Sequence, residues 1–404
     1  MELYLEQLGI ACALGNCKTE VADRLFRIKQ REQSLLRTTD SYSPGRPFAL
    51  GFVDADLPGL ADEYAAFKCR NNSMLQYCAM QIQPRVKALA EQFGADRIGV
   101  VLATSTSGIE EAEKATAQRL ARGALPDDFH FLQQQLSGGT DFLSHYLNVS
   151  GPTTTISTAC SSSANALASA TRLIRQDLCD AVIVGGVDTL TQFTVQGFAA
   201  LEALSKGLAN PFSVNRDGIN IGEGGALMVM SREPTPIRLL AVGNSSDAYH
   251  ISAPHPEGKG AEQAMREALQ VAGLRPEQIN YVNLHGTGTA HNDLAEGHAI
   301  ARVLGPEVSC SSSKPLTGHT LGAAGIIEAA LCWLSMHPDY NPSGSLIAHL
   351  WDGQTDPDIE PLNLVDGGVK QEVRPKYCLS NSFAFGGNNA CVILGVSDHE
   401  TALS

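Results

Sequence analysis

The stretch Ser157-Thr158-Ala159-Cys160-Ser161-Ser162-Ser163-Ala164 decides the reading of this chain. A β-prone run, Thr153-Thr154-Thr155-Ile156, leads into it. Ala164, Leu167, Thr171, Ile174 and Leu178 follow at helical spacing. Cys160 is therefore expected at a strand-to-helix corner. Unpaired N–H groups and the helix dipole at such a corner favour negative charge. A thiol held there can ionise near neutral pH and act as a nucleophile. A small buried core cysteine is the other reading this segment allows.

Outward from that corner, apolar strand-like runs recur at 97–104, 181–185, 225–230, 239–242, 281–284, 377–380 and 390–394. Amphipathic helical stretches lie between several of them, at 73–93, 109–122, 260–272 and 322–336. The alternation predicts an α/β protein with covered sheets. Ser231-Arg232-Glu233-Pro234-Thr235-Pro236 is the best boundary, because its two prolines break any regular element. It divides the chain into residues 1–233, with the cysteine corner, and 234–404, with two histidine-bearing corners.

Hydrophobic residues make up 43% of the 404 and charged ones 18%, which fits a large buried interior. A net charge of −14 argues against nucleic acid or an anionic membrane as the main partner. The ten cysteines show no framework spacing. No signal peptide is read at Met1-Glu2-Leu3-Tyr4-Leu5-Glu6, and no apolar run reaches the roughly 18 residues of a membrane span. A cytoplasmic protein with reduced thiols is expected.

Three more motifs carry chemistry. Tyr281-Val282-Asn283-Leu284-His285-Gly286-Thr287-Gly288-Thr289 delivers His285 from a strand into a Gly/Thr loop, with Asp293 and Glu296 following. Ser313-Lys314-Pro315-Leu316-Thr317-Gly318-His319 precedes a helix of small and apolar residues. A buried Lys314 needs a partner, and Glu328 is a candidate. Ser382-Phe383-Ala384-Phe385-Gly386-Gly387-Asn388-Asn389 reads as a strand end and a tight turn, whose N–H groups can hold an oxyanion. Each motif alone also reads blandly, as a hydrogen-bonded loop histidine, a packing helix or a plain turn.

Together the set resembles the elongating β-ketoacyl–acyl-carrier-protein synthases, from Ile10-Ala11-Cys12-Ala13-Leu14-Gly15 to the C-terminal Gly-Gly turn. Asn210-Pro211-Phe212, Arg216-Asp217-Gly218 and Asp247-Ala248-Tyr249-His250 are similar to that family too. The resemblance implies the thiolase fold, two similar βαβαβαββ halves in five layers (αβαβα), usually dimeric. It implies Cys160 as acyl-accepting nucleophile, His285 and His319 at malonyl decarboxylation, and Lys314 holding the histidine pair. The Cys160 and Phe385 N–H groups would form the oxyanion hole, with Phe385 also gating the acyl tunnel. Phe383, Glu328, Asp293, Glu296, Thr287 and Thr289 would support them.

Further implications are an acidic acyl carrier protein as partner, substrates on its phosphopantetheine, and no metal or other cofactor. The dimer partner would be an identical chain or a chain-length factor. Lys68 and Arg70 are candidates for carrier docking. Two departures stand out: Ala384 replaces the usual glycine between the phenylalanines, and Asn388 replaces a threonine. Ala384 is expected to restrict the gate. Arg70-Asn71-Asn72 and Thr104-Ser105-Thr106-Ser107-Gly108 look more like the discrete synthases of aryl-polyene pathways. A chain-length-factor subunit is the main alternative; such subunits typically lack the nucleophile. A thiolase would need a second cysteine in a C-x-G turn. A Cys–His hydrolase would leave His319 and Lys314 without work.

Overall fold

Strand order repeats between the two halves of the chain. The computed structural model describes residues 1–367 and 374–397. The first half runs β1 (Tyr4–Ala11), α1 (Lys18–Arg27), a ribbon of β2 (Arg37–Thr39) and β3 (Phe48–Leu50), α2 (Arg70–Met80), α3 (Gln83–Phe93) and β4 (Ile98–Ala103). It continues through α4 (Ile109–Arg122), α5 (Gly138–Leu147), β5 (Thr153–Ile156), α6 (Ser162–Arg175), β6 (Ala181–Asp188), α7 (Gln192–Ala200) and β7 (Gly224–Ser231). The second half holds β8 (Ile237–Ser246), α8 (Lys259–Ala272), β9 (Tyr281–Asn283), α9 (Ala290–Val303) and β10 (Ser309–Ser311). It ends with α10 (Lys314–Thr317), α11 (Ala324–Met336), β11 (Asn363–Leu364), β12 (Tyr377–Phe383) and β13 (Asn388–Val396).

Laterally, β5-β4-β6-β7-β1 is matched by β10-β9-β12-β13-β8. In each set the first three strands are parallel and the other two alternate. The sets join edge to edge at Tyr4 and Arg238, and β11 extends the second beside β10. Helices α6 and α11 each contact strands of both sets, so they lie between them.

Three apolar cores separate the layers. Leu75, Leu89 and Phe142 pack against Val100 and Ile183 on one outer face. Leu167, Ile174, Ile326 and Trp333 fill the centre against Val184, Met228 and Val392. Met265, Leu269 and Ile300 cover Val282, Leu379 and Ile393 on the other outer face. The five layers are those of the expected thiolase fold. Every residue of β4 and β6 is buried, as parallel strands covered on both faces require.

Two local expectations change. The stretch 73–93 is two helices, because Pro84 occupies the first turn of α3 and lacks the N–H that a continuous helix would use. Leu178 lies beyond the end of α6, after Asp177 turns the chain at a φ of +57°, and is exposed. Among the described residues no helix is long and apolar enough to cross a membrane.

Candidate active site

The repeat explains how distant residues converge. Cys160 follows β5 and His319 follows β10, the third strand that each half contributes to the main sheet. Each precedes a central helix, α6 or α11, and these helices meet closely near their starts. A Cβ on Gly325 would lie 2.9 Å from the Ala164 nitrogen, and Ser163 Oγ accepts the Ile326 N–H at 2.9 Å. Ala159 turns the chain at a φ of +51°, so Cys160 leaves the strand through a left-handed corner. His319 Nε2 ends 3.0 Å from Cys160 Sγ.

His285 follows β9 and faces the same point. The ligating atoms of Cys160, His285 and His319 lie within 4.8 Å of one another. The imidazoles meet edge to face with centroids 5.5 Å apart, and Phe383 packs 6.0 Å from His285. Lys314 Nζ lies 3.4 Å from His285 Nδ1 and 2.5 Å from Glu328 Oε1. The expected Lys314–Glu328 pair is thus present, fully buried. A Cys-His-His trio has donors suited to a soft metal ion. The Lys314 ammonium behind His285 opposes a cation there, which favours acyl chemistry over metal binding.

Burial pushes the Cys160 thiol up to about 11. The Lys314 charge and the Phe385 and Cys160 main-chain N–H groups at the sulfur work against that rise. The corner does not by itself yield a thiolate near neutral pH, as the sequence suggested; desolvation outweighs it. Burial, then the Lys314 charge, holds His285 and His319 well below the usual imidazole value. Both rings are neutral near pH 7, so His319 Nε2 can accept the thiol proton.

Supporting residues act through the loops. Glu296 accepts the His285 N–H at 2.8 Å, the Gly286 N–H at 2.7 Å and Asn381 Nδ2 at 3.0 Å. Burial raises its carboxyl to about 7. Asp293 accepts the Phe212 N–H at 2.8 Å and the Gly288 N–H at 3.2 Å. Thr287 and Thr289, their hydroxyls 2.9 Å apart, line a cavity of about 520 Å³ that opens from Cys160 to the surface. Phe385 stands in the same cavity, half exposed, with Phe198 5.8 Å away.

Ala384 is absent from the residues with positive φ, so alanine is unstrained in this turn, while Gly386 and Gly387 have φ of +87° and +76°. Lys68 pairs with Asp62 at the surface. Arg70 does not serve as a free surface cation: Nε and Nη2 both grip buried Glu223, at 3.0 and 2.5 Å. That carboxylate also accepts the Val53 N–H at 3.1 Å.

Sequence reading missed Asp188. Its Oδ1 accepts four hydrogen bonds from Thr104, Ser105 and Thr106, and its Oδ2 accepts the Ala323 N–H at 3.0 Å. It thereby ties the first half to the helix start that follows His319. The acidic end of the apolar run at 181–188 was its only signal.

Residues 77–235 match the family model described as beta-ketoacyl synthase, N-terminal domain, and residues 238–344 the corresponding C-terminal domain. A 3-oxoacyl-[acyl-carrier-protein] synthase 2 of Staphylococcus aureus is 35% identical over 74% of this chain and 75% of its own. A Synechocystis enzyme of the same description is 32% identical over 75% and 76%. A chain in the solved complex of the ketosynthase ApeO with its chain length factor ApeC, from Xenorhabdus doucetiae, superposes with a TM-score of 0.90. It is 42% identical and covers 98% of both chains. With both halves matched around the Cys160–His285–His319 centre, the chain belongs to the beta-ketoacyl synthase family.

Proposed function

We propose that the chain extends an acyl group held on Cys160 by two carbons taken from malonyl–acyl carrier protein. The contact of Cys160 Sγ with His319 Nε2, at 3.0 Å, carries this reading. Cys160 attacks the acyl thioester, His319 takes the thiol proton, and the tetrahedral intermediate expels the carrier sulfur, which takes that proton back from His319 and leaves as the carrier thiol. Malonyl–carrier protein then enters and loses CO₂ beside the two neutral imidazoles, whose Nε2–H groups donate to the thioester oxygen as the enolate forms, His319 now in the tautomer opposite to the one that accepted the thiol proton. The enolate carbon attacks the acyl carbonyl, the tetrahedral oxyanion rests on the Cys160 and Phe385 N–H groups, and collapse frees the cysteine and the 3-oxoacyl product. Lys314 keeps the imidazoles neutral and the sulfur more acidic. Phe385 acts as the gate.

Substrates arrive on phosphopantetheine through the open cavity, and the steps above use no metal or further cofactor. The ten cysteines are free in the structure, in keeping with a cytoplasmic setting. The carrier protein docks near the cavity mouth; Lys68 stays a candidate contact and Arg70 does not. The second chain of a dimer is read as a chain-length factor, because a 42% identical chain was solved in a ketosynthase–chain length factor complex. β5 offers it a free sheet edge, with Thr153 and Thr154 exposed. Polyene-type elongation is the pathway this favours over housekeeping fatty-acid synthesis.

Intact-mass measurement after incubation with a panel of acyl–carrier proteins tests the reading. An adduct on the parent that is absent from Cys160→Ala is expected. The preferred acyl group separates polyene from fatty-acid work. An adduct that survives in Cys160→Ala overturns the assignment.

A further inference from the structure

Asn388, where the motif usually carries threonine, closes a ring of side chains that reaches the nucleophile corner. Its Oδ1 accepts from Ser161 Oγ at 2.7 Å and from Asn165 Nδ2 at 2.8 Å. Asn165 Nδ2 also donates to Thr158 Oγ1 at 3.0 Å, and the Thr158 and Ser161 hydroxyls are 3.1 Å apart. The donors fit: both amide protons of Asn165 are used, Thr158 donates to Ser161, and Ser161 donates to Asn388. Ser161 Oγ also lies 2.8 Å from the Thr158 carbonyl, so its proton is shared.

The ring joins two things that must keep a fixed spacing. Ser161 is the residue after Cys160, and Asn165 lies one turn further along α6. Asn388 ends the turn that carries Phe385, and its carbonyl accepts the Ala384 N–H at 2.9 Å. On its other side the turn is tied to the segment 247–251, the Asp247 N–H donating to the Gly387 carbonyl and the Gly386 N–H to the Ile251 carbonyl, each at 2.8 Å, while a Cβ at Gly386 would meet nothing within 4 Å. The Cys160 and Phe385 N–H groups therefore approach one sulfur from two segments, which the ring bolts together.

We propose that Asn388 is a positioning residue, which acts through Ser161 and Asn165 to set the separation of the two oxyanion donors. The inference rests on the roles given above to Cys160 and Phe385. Losing one oxyanion donor typically costs about 10²–10³ in rate. Loosening it should cost part of that, about tenfold in kcat, with KM for both carrier-borne substrates within about twofold.

The test compares kcat, KM, the Cys160 acylation rate and the melting temperature in Asn388→Ala, Ser161→Ala, Asn165→Ala and the Asn388→Ala/Asn165→Ala double variant. The expected result is a kcat and acylation loss of about tenfold in each single variant. The double variant should lose little more than either single, because both cut the same ring. Unchanged kcat, additive losses, or melting-temperature losses with kcat kept would overturn the proposal. If Asn388→Ala fails to fold, Ser161→Ala and Asn165→Ala decide. Failure of all three to fold would assign the ring to stability and overturn it as well. The Cys160 adduct separates the two levels: if the parent is acylated there and the ring variants match it, only this inference falls.

Discussion

His319 Nε2 sits 3.0 Å from Cys160 Sγ, while burial pushes that thiol up to about 11 and holds the imidazole well below its usual value. A reluctant thiol thus faces a neutral ring. With His319 as acceptor, acylation in the parent should be nearly flat between about pH 7 and 8, since the ring is already neutral there. His319→Ala should still form the Cys160 adduct, more slowly. Its rate should rise about tenfold per pH unit, because only the thiolate fraction then reacts. Condensation should fall by roughly 10²–10³, because a donor to the enolate is gone. Rapid-quench mass spectrometry across pH, with product assays, checks both. Normal condensation by the variant would refute the role.

Lys314 and Glu328 form a buried pair whose members are both only a few per cent exposed. Removing one partner of such a pair typically costs about 3–5 kcal/mol, because the other charge is stranded. Lys314→Met should therefore lower stability by that order in denaturant titrations. Lys314→Met/Glu328→Leu should recover much of it. Activity should not return with stability, because the charge that opposes the burial of Cys160 stays absent. Recovery of both together would remove Lys314 from the chemistry.

Arg70 grips Glu223 through two nitrogens, and Glu223 is fully buried. Arg70→Glu should thus act on folding, with a fall in melting temperature. KM for carrier-borne substrate should stay near that of the parent. Lys68→Glu tests the remaining docking contact; a rise in KM confined to Lys68→Glu would keep Lys68 in the patch.

Glu296 carries a buried carboxyl raised to about 7, against about 4.5 when free. A raised carboxyl contributes stability that is fully present below about pH 4.5 and is lost as pH rises through about 7. Glu296→Gln has no such proton to keep. The unfolding free energy of the parent, relative to Glu296→Gln, should therefore fall between about pH 4.5 and 7, by at most about 1.4 kcal/mol per pH unit, in denaturant titrations across pH. A relative rise over that window would contradict the buried protonated carboxyl.

Most strands legible in the sequence were buried on both faces; 239–242, in β8, alternates between buried and half-buried residues. Runs such as 181–185 and 390–394 are apolar throughout because helices cover them on each side. β1 was harder to see, because Glu6 interrupts it; in the fold that carboxylate is met by Arg85 at 2.5 Å and by Ser231. Short β10 and β11 carry polar residues and were invisible. Among site residues, Cys160 and His285 were legible because each closely follows a short strand beside turn-forming residues, and His319 because it stands between Gly318 and a helix of small and apolar residues. Asp188 and the Asn388 ring were not, since their partners lie 82 to 227 residues away in sequence. The Arg70–Glu223 pair was not legible either, because the two residues are 153 positions apart.

Gly318 aims His319, and its position leaves no room for a side chain. Its φ is +72°, and a Cβ there would meet the Gly222 nitrogen and Cα at 2.7 Å. The two backbones approach this closely because His319 pairs with the strand-like segment 220–222. Its N–H donates to the Asn220 carbonyl at 2.6 Å, and its carbonyl accepts the Gly222 N–H at 3.0 Å. Gly318→Ala would put an alanine at a φ of +72° and ψ of 165°, a region essentially confined to glycine, costing about 1–3 kcal/mol, and would add a backbone clash that only a shift of the loop relieves. The shift carries the imidazole away from Cys160. Stability should drop modestly, and kcat should fall by about a hundredfold, as a misplacement of about 1 Å can cost. Gly123→Ala, also at positive φ but at the end of α4, where an added Cβ would meet nothing within 4 Å, serves as the control, with a stability loss from backbone strain and kcat retained. Equal kcat losses in the two variants would show that strain, not the aim of His319, is being measured.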